Sequence, residues 1–191
     1  MLSFRQIIKK YSNHIILNNI DLDFIPGNLY ILTGDNGSGK STIIKIISGM
    51  IYKNKGEIEK DGLISYLPDK FNMPKLMKVK NYLSYILPPD IKTDLLMFKY
   101  KIPNKRIGSL SKGNYQKLGI LQVLNTKALY YVLDEPFDGL DEYGKELLIK
   151  EIEYKLKSGN SFIISLHDKD LLQNLNPITI KIKDGLAYYG A

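Results

Sequence analysis

The sequence predicts an α/β fold: a mainly parallel sheet covered by helices, an antiparallel β-subdomain at the N-terminus and a short inserted helical subdomain. Three observations carry it. A glycine-rich loop, Gly34 to Thr42, joins the apolar run Leu29-Tyr30-Ile31-Leu32 to Ile43-Ile44-Lys45-Ile46-Ile47, so a buried strand turns sharply into a helix. Leu129 to Leu133 is continuously apolar and rich in strand formers, as a parallel strand covered on both faces requires. Between these landmarks, prolines at 74, 88, 89 and 103 punctuate two apolar-periodic runs, which breaks the α/β texture over residues 68–109.

Taken in order, Ile20, Leu22 and Phe24 alternate with Asp21 and Asp23, a half-exposed strand ending at Pro26-Gly27. Antiparallel strands are expected here. Gly49 stops the helix that follows the loop, and Glu57-Ile58-Glu59, Asp61-Gly62 and Leu63 to Leu67 predict a strand, a turn and a strand. Val79 to Leu87 and Ile91 to Tyr100 predict the two short helices of the insert. A helix is expected from near Asn114, and another from about Glu142, where Leu148, Ile149, Ile152 and Leu156 recur at helical spacing. Ser161 to Leu166 is a further buried strand, and Ile178 to Tyr189 a terminal hairpin around Asp184-Gly185. The expectation is one domain over residues 1–191, with core 1–67 and 110–191 and the helical subdomain at about 68–109.

Composition narrows the partners. Hydrophobic content of 44% suits a soluble domain, no apolar run nears the roughly 18 residues of a membrane span, and Met1 to Tyr11 lacks the pattern of a signal peptide. A cytoplasmic location is expected. With no cysteine, disulfides and thiolate metal sites are excluded. The net charge of +7 raises nucleic acid or anionic lipid as partners. Lysines are spread thinly along the chain, however, and Arg5 and Arg106 are its only arginines, so no nucleic acid is expected.

The loop itself reads Gly34-Asp35-Asn36-Gly37-Ser38-Gly39-Lys40-Ser41-Thr42, a complete phosphate-binding pattern. Its glycines let backbone N–H groups converge on an anion at a helix start. Lys40 adds a point charge, and Ser41 a hydroxyl suited to Mg²⁺. The bound species is therefore a nucleotide. A second landmark, Leu133-Asp134-Glu135-Pro136, ends the buried strand near 130, where open α/β sheets bind ligands. There Asp134 can hold Mg²⁺ directly or through water, while Glu135 can orient and deprotonate a water attacking a γ-phosphate.

In this order, the phosphate loop, Leu110-Ser111-Lys112-Gly113-Asn114, Leu133 to Pro136, Gly139-Leu140-Asp141 and His167 resemble the ATP-binding subunit of an ABC transporter, built on a P-loop NTPase core. The resemblance spans nearly the whole chain. It implies that Ser111 and Gly113 contact the γ-phosphate of ATP held by a second ATPase subunit, that Asp138 to Asp141 cross the seam between the two, and that His167 touches the γ-phosphate and the attacking water. Tyr11 is implied to stack on adenine. It further implies a homodimeric or heterodimeric partner, a separate transmembrane permease, ATP hydrolysis with Mg²⁺ and a place on the inner face of the membrane.

Departures from the family pattern are informative. Asp69 stands where the family carries Gln or Glu, keeping an oxygen ligand for Mg²⁺ on a shorter side chain; Lys112 and Asn114 replace the commonest Gly and Gln. The 68–109 segment is short for the family. The motif details lean toward bacterial exporters of the ABC-2 type. A soluble ABC-type ATPase acting on a macromolecular assembly is the alternative, and a P-loop kinase of a small metabolite would lack the motifs at 110–113 and 134–136.

Overall fold

The structure is a computed structural model that describes residues 1–166 and 168–190. Strand β1 (Leu2–Tyr11) turns back into β2 (His14–Phe24). The pair runs from Leu2↔Phe24 to Tyr11↔His14. Next, β3 (Leu29–Thr33) leads into α1 (Lys40–Ile47), which ends at Gly49 in the left-handed region that glycine adopts at helix ends. Strand β4 (Lys55–Lys60) pairs with β1, whereas β5 (Ile64–Leu67) joins the larger sheet beside β6 (Tyr130–Asp134). The turn at Asp61-Gly62 therefore carries the chain from one sheet to the other instead of closing a hairpin. Gly62 permits that exit: a Cβ there would meet the Leu129 side chain at 2.6 Å.

The remaining elements follow the predicted order. Helices α2 (Val79–Ile86) and α3 (Thr93–Tyr100) form the insert, α4 (Lys112–Leu124) precedes β6, and α5 (Glu142–Lys157) leads to β7 (Ser161–Ser165). Strands β8 (Ile178–Lys183) and β9 (Leu186–Tyr189) close the chain as an antiparallel hairpin. Helix α4 starts two residues before the expected position because Ser111 is its N-cap, its side chain accepting the Asn114 N–H. A 3₁₀ turn at Lys169–Leu175 has no hydrophobic period long enough to announce it.

Two sheets result, with orders β2-β1-β4 and β5-β6-β7-β3-β8-β9. In the second, all pairs are parallel except β8 with β9. Its faces pack against different cores. Leu29, Ile31, Tyr131, Leu133, Phe162 and Ile164 join the cluster under α2 to α5, while Tyr30, Leu32, Tyr130, Val132 and Ile163 join the one containing α1 and the antiparallel sheet. This double coverage explains why β6 and β7 are buried at every position.

Strand parity then places the chemistry. Asp134 continues the row of Tyr130 and Val132, which faces α1, and pairs in register with Ser165 on the neighbouring strand. The carboxyl ends of β3, β6 and β7 thus lie side by side at the start of α1.

Candidate functional site

The phosphate loop is shaped by glycine at three positions. Gly34, Gly37 and Gly39 have φ of 141°, 81° and 113°, the left-handed side of conformational space. At Gly34 a close approach adds to this: a Cβ would lie 2.2 Å from the Ile182 carbonyl oxygen of β8. Lys40 is 6% exposed and donates to the carbonyls of Gly34 at 2.7 Å and Asp35 at 3.2 Å. Gly39 heads α1 with no side-chain cap, so no side chain competes for the first N–H groups of that helix.

A cavity of about 420 Å³ opens beside this helix start, lined by Tyr11, Ile16, Asp69, Glu135 and the loop residues Asn36, Gly37, Gly39, Lys40, Ser41 and Thr42. Gly34, Asp35 and Ser38 form the rest of the loop. The Ser38 hydroxyl is buried with no hydrogen-bond partner among the described residues. One side of the Tyr11 ring is covered by the Lys9 ammonium, 4.8 Å from its centroid.

Behind the loop, Asp134 is 2% exposed. Its Oδ1 accepts the Ser41 hydroxyl at 3.1 Å and the Ser165 hydroxyl at 2.6 Å. Ser165 Oγ in turn accepts the Glu135 N–H at 3.0 Å, so one hydroxyl holds the Asp134 carboxylate and the backbone of Glu135. Glu135 has φ of 49°, a left-handed conformation that is costly without glycine and recurs where a site must aim a side chain. Tyr66 lies close to this group. Burial pushes its hydroxyl up to about 12, with the charges of Asp134 and Asp69 adding, and the hydroxyl has no hydrogen-bond partner among the described residues.

The Ser41–Asp134 contact puts two hard oxygen donors together, the set a Mg²⁺ ion takes when phosphates and water complete its shell. Among the described residues no three acidic or histidine side chains converge on one point.

Ser111 and Gly113 are not brought to this cavity. Ser111 is exposed at the head of α4, and the same helix start is fastened to the loop between β6 and α5. The Gln116 amide donates to the Pro136 carbonyl at 3.1 Å, Lys112 pairs with Asp138 at 2.8 Å and the buried Lys117 pairs with Asp141 at 2.8 Å. Gly113 is pressed so close to Gly139 that a Cβ would lie 2.8 Å from its carbonyl oxygen. Asp141 also caps α5 by accepting the Gly144 N–H, and Lys117 above all holds its carboxyl below the usual range. His167, a candidate from the sequence, lies outside the described residues.

A sequence model of the family described as ABC transporter matches residues 17–138, a span that includes the loop, the head of α4 and the Asp134-Glu135 pair. The chain belongs to the ABC transporter family. It is an ATPase cassette of that family, and an uncharacterized ABC transporter ATP-binding protein of Methanocaldococcus jannaschii is 31% identical to it over 197 residues, covering 96% of this chain and 75% of the relative. The cytochrome c biogenesis ATP-binding export protein CcmA of Reclinomonas americana is 35% identical over 177 residues, covering 82% and 80%. For the fold, the ATP-binding cassette MJ0796, solved as a dimer with ADP and Pi, superposes with a TM-score of 0.84 at 19% identity, covering 99% of this chain and 98% of that one.

Sequence reasoning missed four residues of this cassette's site and its surroundings. Ser165 is legible only through the β6–β7 register, and Ile16 reaches the cavity through a shift in β1–β2 pairing. Gln116 and Lys117 lie on the buried side of a helix read for its exposed start. Among the described residues no helix is long and apolar enough to cross a membrane.

Proposed function

We propose that this chain is the ATP-hydrolysing motor of an ABC exporter, working as a dimer of ATPase subunits on a separate transmembrane permease at the inner face of the membrane. One observation carries the reading. The cavity gathers a phosphate loop with the carboxylates of Asp69 and Glu135, the buried Asp134 stands behind it on Ser41, and the other phosphate-seeking helix start, at Ser111, does not line it.

The base would lie against Tyr11, and the phosphates in the loop from Gly34 to Thr42. Lys40 would exchange its two carbonyl partners for phosphate oxygens. Ser41, Asp134 and Asp69 would hold Mg²⁺, which supplies neutralisation of charge on the phosphate oxygens. Glu135, aimed by its strained backbone and by Ser165, would orient the attacking water and take its proton; His167 would contact the γ-phosphate. Ser111 and the Gly113 backbone of the second subunit would close over that phosphate, so ATP joins the subunits and hydrolysis parts them.

Residues 68–109 form the unit that would pass this motion to the permease. It shares a hydrophobic cluster with α4, α5 and the sheet, and one of its polar ties to the core is Tyr143, whose hydroxyl donates to the Lys99 carbonyl at 2.8 Å and whose ring centroid lies 3.6 Å from the Lys101 ammonium. An ion pair between Lys99 and Glu151 and the Tyr82–Gln122 hydrogen bond at 2.6 Å are others.

Purification of the tagged chain carrying Glu135→Gln, with ATP present, tests the assignment. A co-purifying protein with several apolar spans supports it; ribosomes or an assembly scaffold in its place would overturn it. Direction is tested by ATP-dependent loss or gain of substrate in cells once that partner is known, loss being the expected result.

A further inference from the structure

The positive charge of this protein is concentrated in the insert. Residues 68–109 hold nine lysines and arginines against three carboxylates, a net of +6, which leaves +1 for the rest of the chain. The fold gathers part of this excess into a surface. The stretch before α2 runs antiparallel to the stretch after α3, with Val79 N–H donating to the Lys105 carbonyl at 3.0 Å, Ile107 N–H to Met77 at 2.9 Å and Gly108 N–H to Lys75 at 2.9 Å. Lys78 and Arg106 face each other across this pairing, and Lys75 and Lys105 flank them.

Like charges placed opposite one another across paired strands cost stability. All four side chains belong to exposed residues, and among the described residues none of the four has an ion pair to offset that cost. Leu76, between Lys75 and Lys78, is 84% exposed. The strip is thus cationic, uncompensated and interrupted by an apolar side chain.

We propose that this strip docks the protein on anionic phospholipid headgroups. Three features choose that partner. Eight of the nine cations in the insert are lysine, a hydrated and mobile point charge suited to a diffuse anionic layer, whereas fixed carboxylates and phosphates are better matched by the planar fork of arginine. Proteins that hold single-stranded nucleic acid set aromatic rings among their cations, and residues 75–80 and 103–108 contain none. An exposed aliphatic side chain among lysines matches the boundary between headgroups and acyl chains. The inference concerns the surface of this chain alone and stands apart from the transport reading.

Sedimentation of the full chain with vesicles tests it, comparing pure phosphatidylcholine with a mixture containing about one-third phosphatidylglycerol. The chain binds the anionic vesicles, and binding falls as salt is raised through the screening range. Lys78→Ala with Arg106→Ala weakens it by roughly 25-fold, about fivefold per charge, while Lys60→Ala with Lys150→Ala, two exposed lysines outside the insert, changes it by much less. Equal binding to pure phosphatidylcholine, equal loss in the second pair, or displacement of the chain from vesicles by a short RNA at lower concentration would each overturn the proposal. The same variants bind ATP as the parent chain does, because none of these residues lines the nucleotide cavity.

Discussion

The starts of α1 and α4 are both helix N-termini with glycine and serine at hand, and they are built in opposite ways. At α1, Gly39 leaves the first N–H groups without a side-chain cap, Lys40 is buried, and Tyr11, Asp69 and Glu135 enclose the space in front. At α4, the Ser111 hydroxyl caps its own helix, the residue is exposed, and the contacts run backward into the loop at 136–141. The first is a cradle that a single chain completes. The second is an exposed surface fixed to the loop at 136–141 and absent from the lining of the chain's own cavity, an arrangement that leaves it free for the role proposed with a second subunit.

The largest effect that would sharpen this contrast is on the carboxylate side. Glu135→Gln is expected to lower ATP hydrolysis by about 10²- to 10⁴-fold, the range for a general base, with ATP binding intact by equilibrium dialysis. Unchanged turnover would remove Glu135 from the site. Lys40→Ala should weaken ATP binding by roughly 10- to 150-fold, the value of charge-assisted hydrogen bonds, and wild-type affinity would break the idea of a self-sufficient cradle.

Gly34→Ala is expected to cost about 3 kcal/mol of stability in denaturant unfolding, because the new Cβ meets the Ile182 carbonyl and φ is 141°. A neutral result would mean that the loop is not pressed against β8. The smallest effect tests the other side. Asp141 has its folded value lowered chiefly by Lys117, so its contribution is complete above the usual carboxylate range and disappears as pH falls through the lowered value. Asp141→Asn, which keeps a capping side chain, should lower Tm by at most about 3 °C above pH 5 and converge with the parent in acid. A difference that grows in acid would contradict the Lys117–Asp141 tie.

How far the sequence carries depends on the kind of signal. Hydrophobic period and turn chemistry mark β3, α1, β6, α5 and the β8–β9 hairpin, because each is set by its own residues. The positions of β4 and β5 in different sheets were not legible, since the same strand, turn and strand pattern fits a hairpin or an exit, and the pairing of β4 with β1 and of β5 with β6 decides it. In the same way, the residues of the phosphate loop announce their chemistry through spacing. Ser165 and Lys117 do not, because their contributions come from partners 31 and 24 residues away in the chain. The excess of cations over residues 68–109 is countable in the sequence, but the placing of Lys78 opposite Arg106 is not, because the two flanks of the insert pair only in the fold.

The division of one site between two molecules is tested most directly by mixing. A chain with Lys40→Ala lacks a working cradle but keeps the α4 surface; a chain with Ser111→Arg has the reverse. Each alone should hydrolyse ATP at a small fraction of the parent rate, and an equal mixture should regain turnover, because one composite site per mixed dimer is intact. Hydrolysis by the Ser111→Arg chain alone at the parent rate would contradict the account.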